Sequence, residues 1–251
     1  MDDQALQPRR RRGIYLLPNL FTTAALFAGF YAILAANQGR FEAAALAIFA
    51  AMVLDGFDGR IARMTRTQSD FGAEYDSLSD MVAFGVAPAL VIYHWVLEGL
   101  GQVGWLVAFV YTAAAALRLA RFNTQIGIAD KRYFQGLPSP AAAAIIAAGV
   151  WIGAVYEIPD DSLFVAGLAG LITTTVGLLM VSNFRFYSFK GPELRGRVSF
   201  ILAVVVMLAF AVILINPPVV LFLGFLAYVI SGPTWTLIRR RQHLAQRHRD
   251  R

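Results

Sequence analysis

The sequence predicts an all-α fold: a polytopic membrane bundle of about eight transmembrane helices, with both termini in the cytoplasm. Three observations predict it. The chain is 58% hydrophobic with a mean hydropathy of +0.58, far too apolar for an ordinary soluble domain. Apolar runs of about 19–25 residues recur along it, close to the ~20 that a helix needs to cross a bilayer. The cations gather in alternate connections. With both ends inside, 21 of the 22 Lys and Arg residues fall on the cytoplasmic side and only Arg40 falls outside, the asymmetry expected of cytoplasmic loops.

The elements follow in order. Residues 1–13 form a basic segment ending in Arg9–Arg12. The first span runs from Ile14 to about Ala36. It is too long for the apolar region of a signal peptide, and no good small-residue cleavage site follows it. Pro18-Asn19-Leu20-Phe21-Thr22 opens it, with polar residues that suit a helix start. After a short turn, the second span covers Phe41 to Met64 and the third about Ala73 to Leu97, joined by the polar loop Thr65–Gly72. Gln102–Asn123, Ser139–Glu157 and Leu163–Ser182 are the fourth to sixth spans. A basic, aromatic loop, Asn183–Arg197, leads to Val198–Asn216 and Pro218–Ile238, the seventh and eighth, joined by a tight Asn-Pro-Pro turn. A basic tail, 239–251, follows; it fixes topology or meets anionic lipid. No repeat is visible, and residues 1–251 read as a single membrane domain. There is no cysteine, which excludes disulfides and thiolate metal sites.

The chemistry concentrates between Asp55 and Asp80. Asp55 and Asp58 are spaced i, i+3, and Asp76 and Asp80 i, i+4; each spacing places the two side chains on one helix face. Two adjacent helices would thus aim four carboxylates at one small volume, where they stay ionised only beside a cation. A hard divalent ion, Mg²⁺ or Mn²⁺, suits such all-oxygen ligands. The alternative is a pair of solvated helix ends, but acids next to a bilayer core are costly and usually functional. Gly56, Gly59 and Ala62 line the same segment. Glycines in a helix cost about 1 kcal/mol each relative to alanine. They are explained by close approach of a ligand or by tight helix packing. Arg63 offers a charge for a phosphate.

Asp55, Asp58, Gly59, Ala62, Arg63, Gly72, Asp76 and Asp80 form the pattern D-x-x-D-G-x-x-A-R, eight residues, G-x-x-x-D-x-x-x-D. It resembles, without departure, the signature of the CDP-alcohol phosphatidyltransferase family. The resemblance implies transfer of a phosphatidyl group from CDP-diacylglycerol to an alcohol, with release of CMP. It implies that Asp55, Asp58 and Asp76 hold one or two divalent ions, with Asp80 near the second and acting as general base. It places Gly56, Gly59, Ala62, Arg63 and Ser69 against the donor, and adds Asn19 and Thr22 from the opening element. It further implies a homodimer in the membrane, the inner membrane if the source is bacterial, with its site at the cytoplasmic face. No nucleic-acid partner is expected.

Two further stretches bear on the acceptor: Arg118-Leu119-Ala120-Arg121-Phe122-Asn123, and Tyr133 to Ala142, which contains Gln135-Gly136-Leu137-Pro138-Ser139. Together they closely resemble the membrane-embedded phosphatidylserine synthase branch of the family, which implies L-serine as acceptor. Serine carries a carboxylate, and Arg118 and Arg121 share a helix face at spacing i, i+3; Arg grips carboxylate in a bidentate fork. Asn123 and Ser139 would add polar contacts. The same arginines could merely mark the cytoplasmic border, and Arg185, Lys190 and Arg195 are alternative anion ligands. Glycerol 3-phosphate, inositol phosphate and choline remain alternative acceptors. An ion-coupled transporter is disfavoured, because the acids sit at one face and no inverted repeat is visible.

Overall fold

Small residues set how closely the first helices pack. A computed structural model of the chain describes residues 16–65, 69–124, 133–187 and 200–249. Helix α1 (Leu16–Asn37) and helix α2 (Phe41–Thr65) meet through a seam of buried alanines, among them Ala25, Ala32, Ala35, Ala44, Ala45 and Ala51. Without a hydrophobic driving force between helices in lipid, such close backbone approach lets dispersion hold the pair together. Gly29 extends the seam to the next helix: a Cβ there would lie 2.6 Å from the Ala83 Cα.

The third expected span is one apolar helical rod from Asp70 to Trp95, broken in register. It comprises α3 (Asp70–Asp80), a π-helical segment (Met81–Val86) and α4 (Ala87–Trp95). Pro88 explains part of the break, since it has no N–H for the Phe84 carbonyl one turn back. That carbonyl instead accepts the buried Tyr111 hydroxyl at 3.0 Å. Tyr111 belongs to α5 (Gln102–Thr124), which follows a 3₁₀ turn at Leu97–Leu100.

Helix α6 (Ser139–Val155) fills the centre of the bundle. Ala141–Ala148 are buried without exception, and the helix packs on α2 and on α9 (Pro217–Arg249). Helix α7 (Leu163–Val181) lies on α5, while α8 (Phe200–Ile215) touches α9 at the periphery. The described side chains of α8 are almost all apolar and exposed, as expected for a helix whose surroundings are lipid.

One feature departs from the expected all-α chain. Tyr133–Gln135 (β1) and Arg185–Tyr187 (β2) form a small antiparallel sheet, with Phe134 opposite Phe186. The expected loop Asn183–Arg197 therefore begins with a strand. Gly136, at φ +79°, turns the chain out of β1, and its N–H reaches the Phe184 carbonyl at 2.9 Å. The helices agree with a polytopic membrane bundle. Among the described residues, five helical stretches are long and apolar enough to cross a membrane: Pro18–Asn37, Asp70–Trp95, Gln102–Thr124, Leu163–Val181 and Pro217–Thr236. Of the other expected spans, helix α2 carries Glu42, Asp55, Asp58, Arg60 and Arg63, Ser139–Val155 is apolar over 17 residues, and the described part of the seventh, Val204–Ile215, is apolar throughout.

Hydrogen bonds mark the two ends of the bundle. At one end, α1 meets α2, α3 meets α5, and α5 meets both α6 and α7 through the side chains described below. At the other, Asn216 donates to the Tyr156 hydroxyl at 2.5 Å and Trp151 to Glu42 at 3.4 Å. Arg40, the one cation expected outside, donates there to Tyr31.

Candidate active site

Asp55 lies in the last third of α2, and Asp76 and Asp80 lie on α3. The i, i+4 spacing puts the α3 pair on one face, and the register change begins at Met81, immediately after Asp80. Each of the three offers a carboxylate oxygen within 4.8 Å of the others, and all are partly buried. Asp55 and Asp80 stand within hydrogen-bonding reach of each other. Three carboxylates this close repel one another as anions and call for a cation or a proton. Their all-oxygen donor set fits a hard divalent ion.

Asp58 is not part of that trio. It is buried, and its Oδ2 accepts from Thr22 Oγ1 at 2.6 Å. Thr22 is buried as well, and its carbonyl accepts from Ser79 Oγ at 3.1 Å. The four expected carboxylates thus divide into a convergent trio and a fourth anchored against α1. Ser79, which sequence reasoning passed over, ties α3 to that anchor.

The glycines stand in open space. A Cβ built on Gly56 or Gly59 would meet no atom within 4 Å, so tight packing does not explain them. Gly72 is the crowded one: a Cβ there would lie 3.2 Å from Ser69 Oγ and 3.6 Å from Asn19 Oδ1. Ser69 caps α3 by accepting the Gly72 N–H at 3.1 Å, a bond that satisfies one of the helix's first donors. The structure therefore brings Asn19 and Ser69 together at the start of α3. The side chains of Ala62 and Arg63 lie outside the described residues.

The four expected acceptor residues separate into three groups. Arg118 donates to Ser139 Oγ at 2.6 Å and lies within electrostatic reach of Asp80 and Asp55. Asn123 and Ser77 exchange hydrogen bonds at 3.0 and 3.2 Å, which fixes the end of α5 beside Asp76. Arg121 points elsewhere: it donates to the carbonyls of Val181 at 2.9 Å and Ser182 at 3.4 Å, where a cation complements the exposed carbonyls of a helix C-terminus. The two arginines, expected on one helix face, thus reach different partners. Arg185 lies in β2, its N–H bonded to Thr236 Oγ1 at 3.2 Å; Lys190 and Arg195 lie outside the described residues.

A family model described as CDP-alcohol phosphatidyltransferase matches residues 15–181. The chain is 36% identical over 219 residues to the CDP-diacylglycerol–serine O-phosphatidyltransferase of Helicobacter pylori, covering 87% of this chain and 90% of that one. It is 33% identical over 249 residues to the protein of the same name from Mycobacterium tuberculosis, covering 96% and 85%. Among solved structures, the phosphatidylinositol phosphate synthase of Mycobacterium tuberculosis with CDP-DAG bound gives a TM-score of 0.45 at 19% identity, over 74% of this chain and 92% of that one.

Proposed function

The chain belongs to the CDP-alcohol phosphatidyltransferase family, and we propose that it transfers the phosphatidyl group of CDP-diacylglycerol to the hydroxyl of L-serine, giving phosphatidylserine and CMP. The observation that carries the proposal is the convergence of Asp55, Asp76 and Asp80 within 4.8 Å, with Arg118 in electrostatic reach. The extended similarity to the two proteins named for this reaction supports serine as the acceptor.

Asp55, Asp76 and Asp80 would hold a divalent ion, Mg²⁺ or Mn²⁺, with Asp58 contributing from the adjoining helical turn. Bound there, it would supply neutralisation of the diphosphate and of charge developing on the leaving CMP. The open faces of Gly56 and Gly59 let the donor nucleotide approach the α2 backbone. By the family signature, Asn19, Thr22, Ala62, Arg63 and Ser69 would contribute to donor binding. Asp80 takes the serine hydroxyl proton as the serine oxygen attacks the phosphorus bearing diacylglycerol. The new P–O bond forms as the bond to CMP breaks. A carboxylate is a weak base for an alcohol, so proton transfer is concerted with attack. Arg118 receives the serine carboxylate in a fork that Ser139 holds in place, with Asn123 nearby.

The protein acts as an integral membrane enzyme, its site at the cytoplasmic face, with eight spans and both termini inside. A single membrane domain assembled as a homodimer completes this reading. The test is a panel of labelled alcohols with purified protein and CDP-diacylglycerol, following CMP release and lipid product. Serine should give phosphatidylserine. Stoichiometric CMP release with glycerol 3-phosphate and none with serine would overturn the acceptor.

A further inference from the structure

Asp80 is the last residue of α3, and the wide π-helical segment Met81–Val86 follows it without a break. The Ala87 N–H bonds five residues back, to the Val82 carbonyl, so the segment takes up one residue more than a regular turn. One extra residue offsets the faces of α3 and α4 by about 100°, the rotation per residue of an α-helix. The segment thus sets which way Asp76 and Asp80 face while α4 stays packed in the bundle. It is clamped from two sides. Ala83, Phe84 and Gly85 are buried. A Cβ on Gly29 of α1 would lie 2.6 Å from the Ala83 Cα, and one on Gly85 would lie 3.2 Å from the Ala115 Cβ of α5. Tyr111 of α5 adds a polar tie: its buried hydroxyl donates to the Phe84 carbonyl at 3.0 Å. Pro88 has no N–H for that carbonyl, so the tyrosine stands in for the missing helical donor. Tyr111 is itself packed against α7, where a Cβ on Gly177 would lie 3.3 Å from its Cα. Helix α5 meets α3 again at Asn123, whose side chain exchanges hydrogen bonds with Ser77 at 3.0 and 3.2 Å.

We propose that Tyr111 is a positioning residue for Asp76 and Asp80: by holding the Phe84 carbonyl it keeps the π-helical register that turns both carboxylates toward Asp55 of α2. A buried carbonyl without a donor is costly. Without the tyrosine hydroxyl, the segment has no fixed partner at Phe84, and the relation between α3 and α4 loosens. A small turn of α3 would carry Asp76 and Asp80 out of the 4.8 Å cluster with Asp55. Single π turns inside α-helices are frequent at functional sites, and here the turn begins at the residue after Asp80. Tyr111 acts through the backbone of this segment and does not touch the reacting atoms. This inference rests on the reading of Asp55, Asp76 and Asp80 as the metal and base cluster.

The experiment combines steady-state kinetics of the full-length protein with a cross-link that needs no turnover. Tyr111→Phe keeps the ring and removes the hydroxyl. It should lower thermal stability and lower kcat about 10-fold or more, with the KM for serine and for CDP-diacylglycerol little changed. Pro88→Ala gives the Phe84 carbonyl a helical donor of its own. In the double variant, Tyr111→Phe with Pro88→Ala, stability should return close to the wild-type value. Turnover should stay low, because α3 has left the π-helical register. The cross-link joins Ser77→Cys to Asn123→Cys in a chain with no other cysteine. An oxidant should bridge this pair in the wild-type background. Bridging should slow at least about fivefold in the double variant, since cysteines turned apart cannot bridge without backbone movement. Recovery of both stability and kcat in the double variant would mean that Tyr111 only satisfies a carbonyl, and overturns the proposal. An unchanged kcat in folded Tyr111→Phe overturns it, as does bridging in the double variant as fast as in the wild-type background. If Tyr111→Phe alone does not fold, the double variant decides. A double variant that does not fold also overturns the proposal, because there the carbonyl has its partner. If the metal or acceptor reading is wrong, the wild type gives no metal-dependent product from serine, and stability and bridging still judge Tyr111.

Discussion

Thr22 Oγ1 donates to Asp58 Oδ2 at 2.6 Å, joining the first turns of α1 to the aspartate-bearing end of α2. Both side chains are buried, so this bond fixes the direction of a carboxylate that has little water to turn toward. A hydrogen bond to a charged group contributes roughly 1.5–3 kcal/mol. Thr22→Val should therefore lower turnover about 10- to 100-fold and raise the metal concentration needed for half-maximal rate. Thr22→Ser, which keeps the hydroxyl, should recover most of both. Titration of initial rate against Mn²⁺ for the two variants checks this. Equal losses in Val and Ser would mean that the methyl group, not the hydrogen bond, matters.

The carboxylates themselves give a sharper test. Chelation should abolish activity, and Mg²⁺ or Mn²⁺ should restore it. Asn in place of Asp55, Asp76 or Asp80 removes one anionic oxygen from a trio held within 4.8 Å and should cost about three orders of magnitude or more in turnover, in line with the several kcal/mol a metal supplies. Asp58→Asn should also be severe, but with part of its loss recovered at high metal concentration, because Asp58 stands outside the trio. Identical, unrecoverable losses at all four positions would remove the distinction between Asp58 and the others.

The open faces of Gly56 and Gly59 set stability against function. Alanine replaces glycine in a helix with a gain of about 1 kcal/mol, and neither position has an atom within 4 Å of the new Cβ. Gly59→Ala should thus leave thermal stability unchanged or raise it, while raising the CDP-diacylglycerol KM at least several-fold. A destabilised Gly59→Ala protein with normal donor KM would return the glycine to a packing role.

How much of this could be read from the chain differs from residue to residue. Asp76 and Asp80 share a face as their i, i+4 spacing requires, whereas their meeting with Asp55 of α2 is a product of tertiary packing. Asp58 keeps its i, i+3 spacing from Asp55, but Thr22 on another helix decides its direction, and no periodicity within α2 carries that information. Arg118 and Arg121 show the same limit. Long side chains on neighbouring faces reach different partners, here Ser139 and the end of α7. The small sheet escaped notice because strands of three residues are too short to establish an alternating pattern. Tyr111 sits in an apolar run, and nothing in its own helix points to the Phe84 carbonyl that its hydroxyl meets.

Topology can be tested directly, since the chain contains no cysteine. Single cysteines at Gln38, Gly101 and Asp160 should react with an impermeant thiol reagent applied from outside, and those at Thr67, Gln125 and Gly191 should be protected until the membrane is opened. Gln38 and Gly101 lie at turns opposite the aspartate end. Labelling at Thr67 from outside would reverse the proposed orientation and place the site on the other face.

The two arginines of α5 should part company under mutation. Arg118 lies in electrostatic reach of Asp80 and Asp55, whereas Arg121 bonds the last carbonyls of α7. Lysine keeps the charge and loses the bidentate fork. Arg118→Lys should raise the serine KM roughly 10- to 150-fold, the range set by a charge-assisted hydrogen bond, with the donor KM little changed. Serine methyl ester lacks the carboxylate, so it should be a poor acceptor for the wild type and lose little further in Arg118→Lys. Arg121→Lys should leave the serine KM within about twofold and lower thermal stability by about 1 kcal/mol, the scale of one lost hydrogen bond. The comparison separates three assignments. A serine effect confined to Arg118 places the carboxylate there. A serine effect confined to Arg121 means that substrate pulls its side chain away from α7. A donor effect in Arg118→Lys would move that arginine to the diphosphate, and the carboxylate ligand would then be sought between residues 183 and 197.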